Sequence, residues 1–152
     1  MVGRLVHKAD FERVLATPSR TRSAHFAVHH VASGPAPRKS ALREPGTNKL
    51  STADARPCPQ PVDNSVAAAP VSGLWLGWVV PKRHARRAVT RSLLKRQIRG
   101  AFGRHAAALA AGMWLVRLRA PFAVGEFVSA RSAALAAAAH AEHDRLLARA
   151  AA

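Results

Sequence analysis

Residues 74–119 read LWLGWVVPKRHARRAVTRSLLKRQIRGAFGRHAAALAAGMWLVRLR, and the architecture turns on them. The run from Leu74 to Val80 is apolar throughout, has strand length and stops at Pro81. Such continuity predicts a strand covered on both faces, near the centre of a sheet. Residues 86–109 follow with helical spacing, because Leu94, Ile98, Ala101 and Phe102 fall at i, i+4, i+7 and i+8. Gly112 ends that helix. Residues 113–119 then alternate, with Trp114, Val116 and Leu118 on one side and Arg117 and Arg119 on the other, until Pro121 closes the strand. Strand, helix and strand make a βαβ unit.

Outward from this unit the chain is less regular. Residues 33–73 hold seven of the ten prolines among Ser, Gly, Thr, Asp and Asn, with no sustained apolar period, and read as a disordered insertion between two strands that pair without it. Closing a loop costs entropy only logarithmically in its length, so 111 residues remain to fold as a single domain spanning 1–152. Before the insertion, Phe11, Val14 and Leu15 lie at i, i+3, i+4 in a short helix that ends before Pro18. Residues 25–31, HFAVHHV, are β-prone. Residues 128–150 are Ala-rich with Leu135, Leu146 and Leu147, and predict a last helix.

Charge is the second strong signal. The chain carries 24 Lys and Arg against 8 Asp and Glu, a net charge of +16, and such a surface repels itself unless a polyanion neutralises it. Residues 74–119 contain eleven of the cations and no acid. On a helical wheel Arg91, Lys95, Arg96 and Arg99 form a ridge beside the Leu94/Ile98/Ala101/Phe102 stripe. A solvated helix face ordinarily alternates signs to gain i,i+4 pairs, and this one does not. Arg86, Arg87 and Arg91 also stand near the helix start, where the macrodipole disfavours cations. The pattern points to phosphate contact. Aromatic side chains that would stack on single-stranded bases are Phe11, Phe26, Trp75, Trp78 and Trp114, with the core as the competing role, above all for the tryptophans.

Other function classes are excluded or unsupported. No apolar stretch approaches the roughly 18 residues that span a bilayer. The N-terminus has no apolar secretion region, and one Cys58 cannot staple a fold, so a cytoplasmic protein without disulfides is expected. There is no P-loop, GxGxxG, HExxH or nucleophile elbow. His140 and His143 stand one turn apart without a third ligand and read as solvated helix histidines. No catalytic residue and no metal site of the protein's own is expected.

The stretch from Arg87 to Phe102, RAVTRSLLKRQIRGAF, after GWVVPKR at 77–83, closely resembles the signature of the bacterial ribonuclease P protein subunit: a strand ending in a basic pair, then a helix opening with Ala-Val-x-Arg-Asn-x-x-Lys-Arg-x-x-Arg. Residues 8–15, 25–31 and 114–119 are similar to the family's first helix, its first strand and the strand after the basic helix. The resemblance implies an α+β fold, a small two-layer α/β sandwich of the kind seen in the second domain of ribosomal protein S5, with a left-handed βαβ crossover. It implies a protein that binds the catalytic RNA subunit of ribonuclease P and the 5′ leader of precursor tRNA, while the RNA and Mg²⁺ held mainly by it cleave the phosphodiester. By position, Arg91, Ser92, Lys95, Arg96 and Arg99 would touch the RNA, supported by Lys82, Arg83 and Arg87, and Phe11 and Phe26 would line the leader cleft. Ser92 stands where the family usually has Asn, and Leu93 where many members have Arg. The other reading of the same charge is a plain ribosome- or nucleoid-associated RNA-binding protein without a processing role.

Overall fold

A computed structural model describes residues 2–36, 71–129 and 132–152. Most of the 33–73 stretch, with Cys58, lies outside the described residues, so its expected disorder has no structural counterpart here. In chain order the elements are β1 (Val2–Arg4), α1 (Lys8–Ala16), β2 (Ser19–Arg22), β3 (Phe26–Val31), β4 (Leu74–Val79), α2 (Ala88–His105), β5 (Gly112–Leu118) and α3 (Ala133–Ala151). One sheet of order β1-β4-β5-β3-β2 organises them.

The βαβ unit forms as its sequence predicts, with β4 and β5 adjacent and parallel from Leu74↔Gly112 to Val79↔Arg117. Two details differ. The central strand is β5, buried at every position but Arg117, and β4 lies between it and the three-residue β1. Strands β3 and β4, which flank the long insertion, do not pair with each other; each pairs with β5, antiparallel and parallel respectively. Gly112 opens β5 with φ 133°, and a Cβ there would run into the carbonyl oxygen of Val31.

Alternation along the strands sorts the side chains into two layers. Phe26, Val28, Leu76, Trp114, Val116 and Leu118 face α2 and α3, which supply Leu93, Leu94, Ile98, Ala101, Phe102, Leu135, Ala139, Leu146 and Leu147 to the main core. Residues of the opposite parity, Met113 and Leu115, face α1 and form a second cluster with Leu5 and Val14, edged by Phe11, Leu15, Trp75 and Val79. Each large apolar side chain fully buried in these layers is worth about 1.5–3 kcal/mol, so a core of modest length suffices. The α+β class stands, with helices on both faces of the sheet.

Helix α2 starts two residues later than its periodicity suggests, since Arg87 is extended (φ −76°, ψ 133°). Arg91 explains the delay: its Nη1 donates to the carbonyls of Ala85 (3.0 Å) and Arg86 (2.7 Å), which binds the preceding turn to the first helical turn. Leu93 joins the buried stripe. Helix α3 is capped by Ser132, whose hydroxyl accepts from the amide of Leu135 at 3.3 Å. His143 is not the solvated histidine expected; it is 1% exposed, with its ring centroid 4.1 Å from that of Phe26. His140 is half-exposed and pairs with Asp144 at 3.1 Å.

Candidate nucleic-acid interface

The buried stripe of α2 fixes which of its cations face water. Leu93, Leu94, Ile98, Ala101 and Phe102 hold one side of the helix to the sheet, so Lys95, Arg96 and Arg99 are presented outward together with Ser92. The tight turn after β4, closed by amides of His84 and Ala85 on the carbonyl of Pro81 (3.1 and 3.2 Å), exposes Lys82 and Arg83 next to them in sequence. Arg87 is exposed as well, with Nη1 donating to the carbonyl of Val128 at 3.0 Å.

Of the eight residues assigned to RNA, seven are exposed and Arg91 is half-buried on backbone carbonyls. Arg91 thus shapes the turn that carries the other cations. Ser92 borders a shallow hollow of about 350 Å³ with Ala88, Val89 and Arg96.

Among the described residues, no carboxylate lies within ion-pair distance of Lys82, Arg83, Arg86, Arg87, Lys95, Arg96 or Arg99. Four of the five described carboxylates are engaged elsewhere, Glu12 with Lys8, Asp10 with Arg13, Glu142 with His25, and Asp144 with Arg104, His105 and His140, and the exposed Glu126 forms no ion pair. Like charges packed along one helix repel, and a chain of phosphates relieves that repulsion by releasing its own counterions.

Arg4 is a cation that sequence reasoning missed. Strand β1, too short and polar to stand out, lies beside β4 and sets the Arg4 guanidinium 5.1 Å from the Trp78 ring centroid, while Arg99 of α2 sits 5.9 Å from it. Half-buried Trp78 holds two guanidinium groups by their attraction to its π-face, worth about 0.5–1 kcal/mol each near the surface. The basic face therefore continues from α2 onto the sheet edge. Trp114, by contrast, is wholly buried and is a core residue.

The expected pairing of Phe11 with Phe26 in one cleft is corrected by the fold. Phe26 is 0% exposed on the α2/α3 side, against His143 and Phe122, and no ligand can stack on it without opening the core. Phe11 lies on the opposite side, half-buried, with its ring over Gly77; a Cβ on Gly77 would come within 2.9 Å of it. On that side the register Arg22↔Ala27↔Arg117↔Val79 runs straight across four strands. Since Ala27 faces away from the Phe26/Val28 core, Arg22 and Arg117 flank it on the α1 face. Strand β2, SRTR, gave no apolar alternation from which Arg22 could have been placed.

One constellation has the composition of a hydrolytic triad without its wiring. Ser23 donates to Glu142, and Glu142 Oε2 meets His25 Nδ1 at 2.8 Å, so the hydroxyl lies on the carboxylate and not on the imidazole that would have to take its proton. Burial alone would raise the Glu142 pKa, but hydrogen bonds from Ser23 and from the backbone and ring of His25 outweigh it and hold the carboxyl below its usual range. The set ties α3 to the turn between β2 and β3. Among the described residues no three His, Cys, Asp or Glu side chains come together as a metal site, and no helix is long and apolar enough to cross a membrane.

Fold and surface together define a small α+β protein whose longest basic helix has one face in the core and, on the other, cations and no acid. Residues 2–142 match the family described as Ribonuclease P, and the chain belongs to that family. It is 47% identical over 76 residues to the ribonuclease P protein component of Burkholderia pseudomallei (strain 1106a), an alignment covering 50% of this chain and 56% of that protein. The chain thus matches little more than half the length of this curated relative. The fold is similar to that of the Staphylococcus aureus RNase P protein, with a TM-score of 0.54 and 17% identity over 95% of this chain and 92% of that one.

Proposed function

We propose that this chain is the protein subunit of ribonuclease P, acting in the cytoplasm on precursor tRNA together with a catalytic RNA. The observation that carries the reading is the acid-free outer face of α2 on a chain of this family. Lys95, Arg96 and Arg99, with Lys82, Arg83, Arg87 and Ser92, meet phosphates of the RNA subunit, and Arg91 keeps the turn before the helix in place. Arg4 extends the same contact. The 5′ leader lies on the α1 side of the sheet, where Phe11 offers a ring to an unpaired base and Arg22 and Arg117 offer charge to its backbone. Hydrolysis belongs to the RNA and its Mg²⁺; the protein neutralises repulsion between two RNAs and holds the leader.

The experiment is a Mg²⁺ titration of precursor-tRNA cleavage by a bacterial ribonuclease P RNA with and without this protein. The protein is expected to shift the titration to lower Mg²⁺. No shift with a correctly folded RNA would reduce the chain to a basic binding module.

A further inference from the structure

Between the turn that leads into α2 and residues 121–129 after β5 lies a cavity of about 530 Å³ with two unlike walls. One wall is cationic, made by Arg83, Arg86 and Arg87. The other is aromatic, made by Phe122 and Phe127, whose rings meet edge to face with centroids 5.8 Å apart. Arg87 bridges the walls through its bond to the carbonyl of Val128. Val124, on the rim, is 76% exposed, and Val128 of the same loop is 71% exposed. Single exposed apolar residues need no explanation, but two on the loop that walls one aromatic cavity mark a surface prepared for contact. Among the described residues no carboxylate lines the cavity, and neither do Lys95, Arg96 and Arg99 of the α2 ridge.

Duplex backbone would use the arginines and leave unused the open parts of the phenylalanine rings, which are otherwise half-buried against the core with Phe122 stacked on His25 at 4.0 Å. An apolar peptide would use the rings and leave the arginines facing no counter-charge. A nucleotide presents both complements at once, a flat base for the rings and a phosphate for the guanidinium groups. The volume lies within the roughly 300–1,000 Å³ of sites that enclose small ligands. We infer that this cavity takes one unpaired nucleotide of the RNA, its base against Phe122 and Phe127 and its phosphate on Arg83 and Arg86. The inference rests on the RNA-binding reading above and deepens it. Phosphate contacts along α2 position an RNA without choosing among sequences or shapes, whereas a base pocket selects a site where a nucleotide is free to leave the stack.

Val124 allows a test that leaves the core untouched. A chain with Cys58→Ser and Val124→Cys, carrying a photoactivatable benzophenone on the new thiol, is complexed with a bacterial ribonuclease P RNA; Ser92→Cys in the same background is the reference on the α2 face. The Val124 label is expected to cross-link to one or two nucleotides that are unpaired in the RNA. In parallel, Phe127→Leu keeps apolar volume but removes the ring, and RNA affinity is expected to fall about tenfold, within the range for one base–aromatic stack, with the salt slope unchanged. Cross-links from Ser92 but none from Val124, cross-links from Val124 to duplex alone, or an unaltered affinity in Phe127→Leu would each overturn the pocket while leaving the RNA reading in place. An acidic protein segment would then be the better occupant. Absence of cross-links from both positions would overturn the pocket and the RNA reading together.

Discussion

Helices α2 and α3 are of nearly equal length, 18 and 19 residues, and pack side by side on one face of the sheet. They dispose of charge in opposite ways. On α3, Glu142 is held by Ser23 and His25, and Asp144 by Arg104, His105 and His140. These pairs join the helix to the β2–β3 turn and to the C-terminal end of α2. Along its outer face before that end, Lys95, Arg96 and Arg99 of α2 have no carboxylate partner among the described residues. One helix uses its polar groups to hold the molecule together; the other keeps them unneutralised at a cost in self-repulsion. The contrast teaches that the α2 charge is not there for stability, because on this same sheet face the chain places acids wherever structure needs them.

The inner face of α2 should show the largest effect when broken. Phe102→Ala empties a fully buried ring position and is expected to cost about 3–5 kcal/mol in urea unfolding. Lys95→Glu with Arg99→Glu, on the outer face of the same helix, is expected to cost no more than the roughly 0.5–1 kcal/mol of the Arg99–Trp78 contact.

The α3 side should carry the pH dependence. Burial lowers the His143 pKa from 6.5 to about 4, against the carbonyl of Ala139 and the charges of Glu142 and Asp144, which act to raise it. A histidine with a depressed folded pKa contributes stability that is complete above about 6.5 and is lost as pH falls from there towards 4, where the unfolded chain binds the proton first. The loss over that interval is expected to be on the order of 3 kcal/mol. In His143→Phe the loss of stability between pH 6.5 and 4 should shrink by about that amount, leaving the smaller linkage of His30, Glu142 and Asp144, whatever the change in absolute stability; an unaltered pH profile would contradict the assignment.

A smaller effect distinguishes the two helices by function. The double reversal Lys95→Glu/Arg99→Glu should lower the salt dependence of RNA binding by about two phosphate contacts, in a filter-binding series over salt concentration. The smallest effect belongs to Asp144→Asn, which loosens the tie between α3 and the end of α2. Burial alone would raise the Asp144 pKa, but Arg104 and His105 outweigh it and lower it, so its contribution is present above the unfolded value and lost as pH falls through the folded one. Because the group is about one-third exposed, solvent screening limits the cost to about 0.5–1 kcal/mol at neutral pH, and RNA affinity should not change.

Much of this was legible in residues 74–119, where period and charge coincide: an uninterrupted apolar strand, a helical stripe, an alternating strand, and no acid between them. What the sequence hid has physical reasons. Strands β1 and β2 are edge strands of three and four residues, held by their neighbours' backbone groups and not by an apolar pattern, so Arg4, Arg20 and Arg22 could not be placed. Alternation in residues 25–31 showed that Phe26 and Ala27 point to opposite faces, but not which face would be sealed by two helices and which left partly open beside α1. Phe26 was assigned to the open side for that reason. The burial of His143 does have a sequence signal, since Leu146 and Leu147 stand at i+3 and i+4 and Leu135 two turns back on the same face; what the sequence hides is Phe26, which packs on it from the sheet.

The claim that α2 carries its charge for RNA is tested most directly by the salt dependence of binding to a bacterial ribonuclease P RNA. With six to eight cations on phosphates, log K is expected to fall against log[salt] with a slope of roughly 4 to 7, at about 0.7 to 0.9 per contact. A slope near 1 would mean that the outer face of α2 is merely solvated, and would contradict the account.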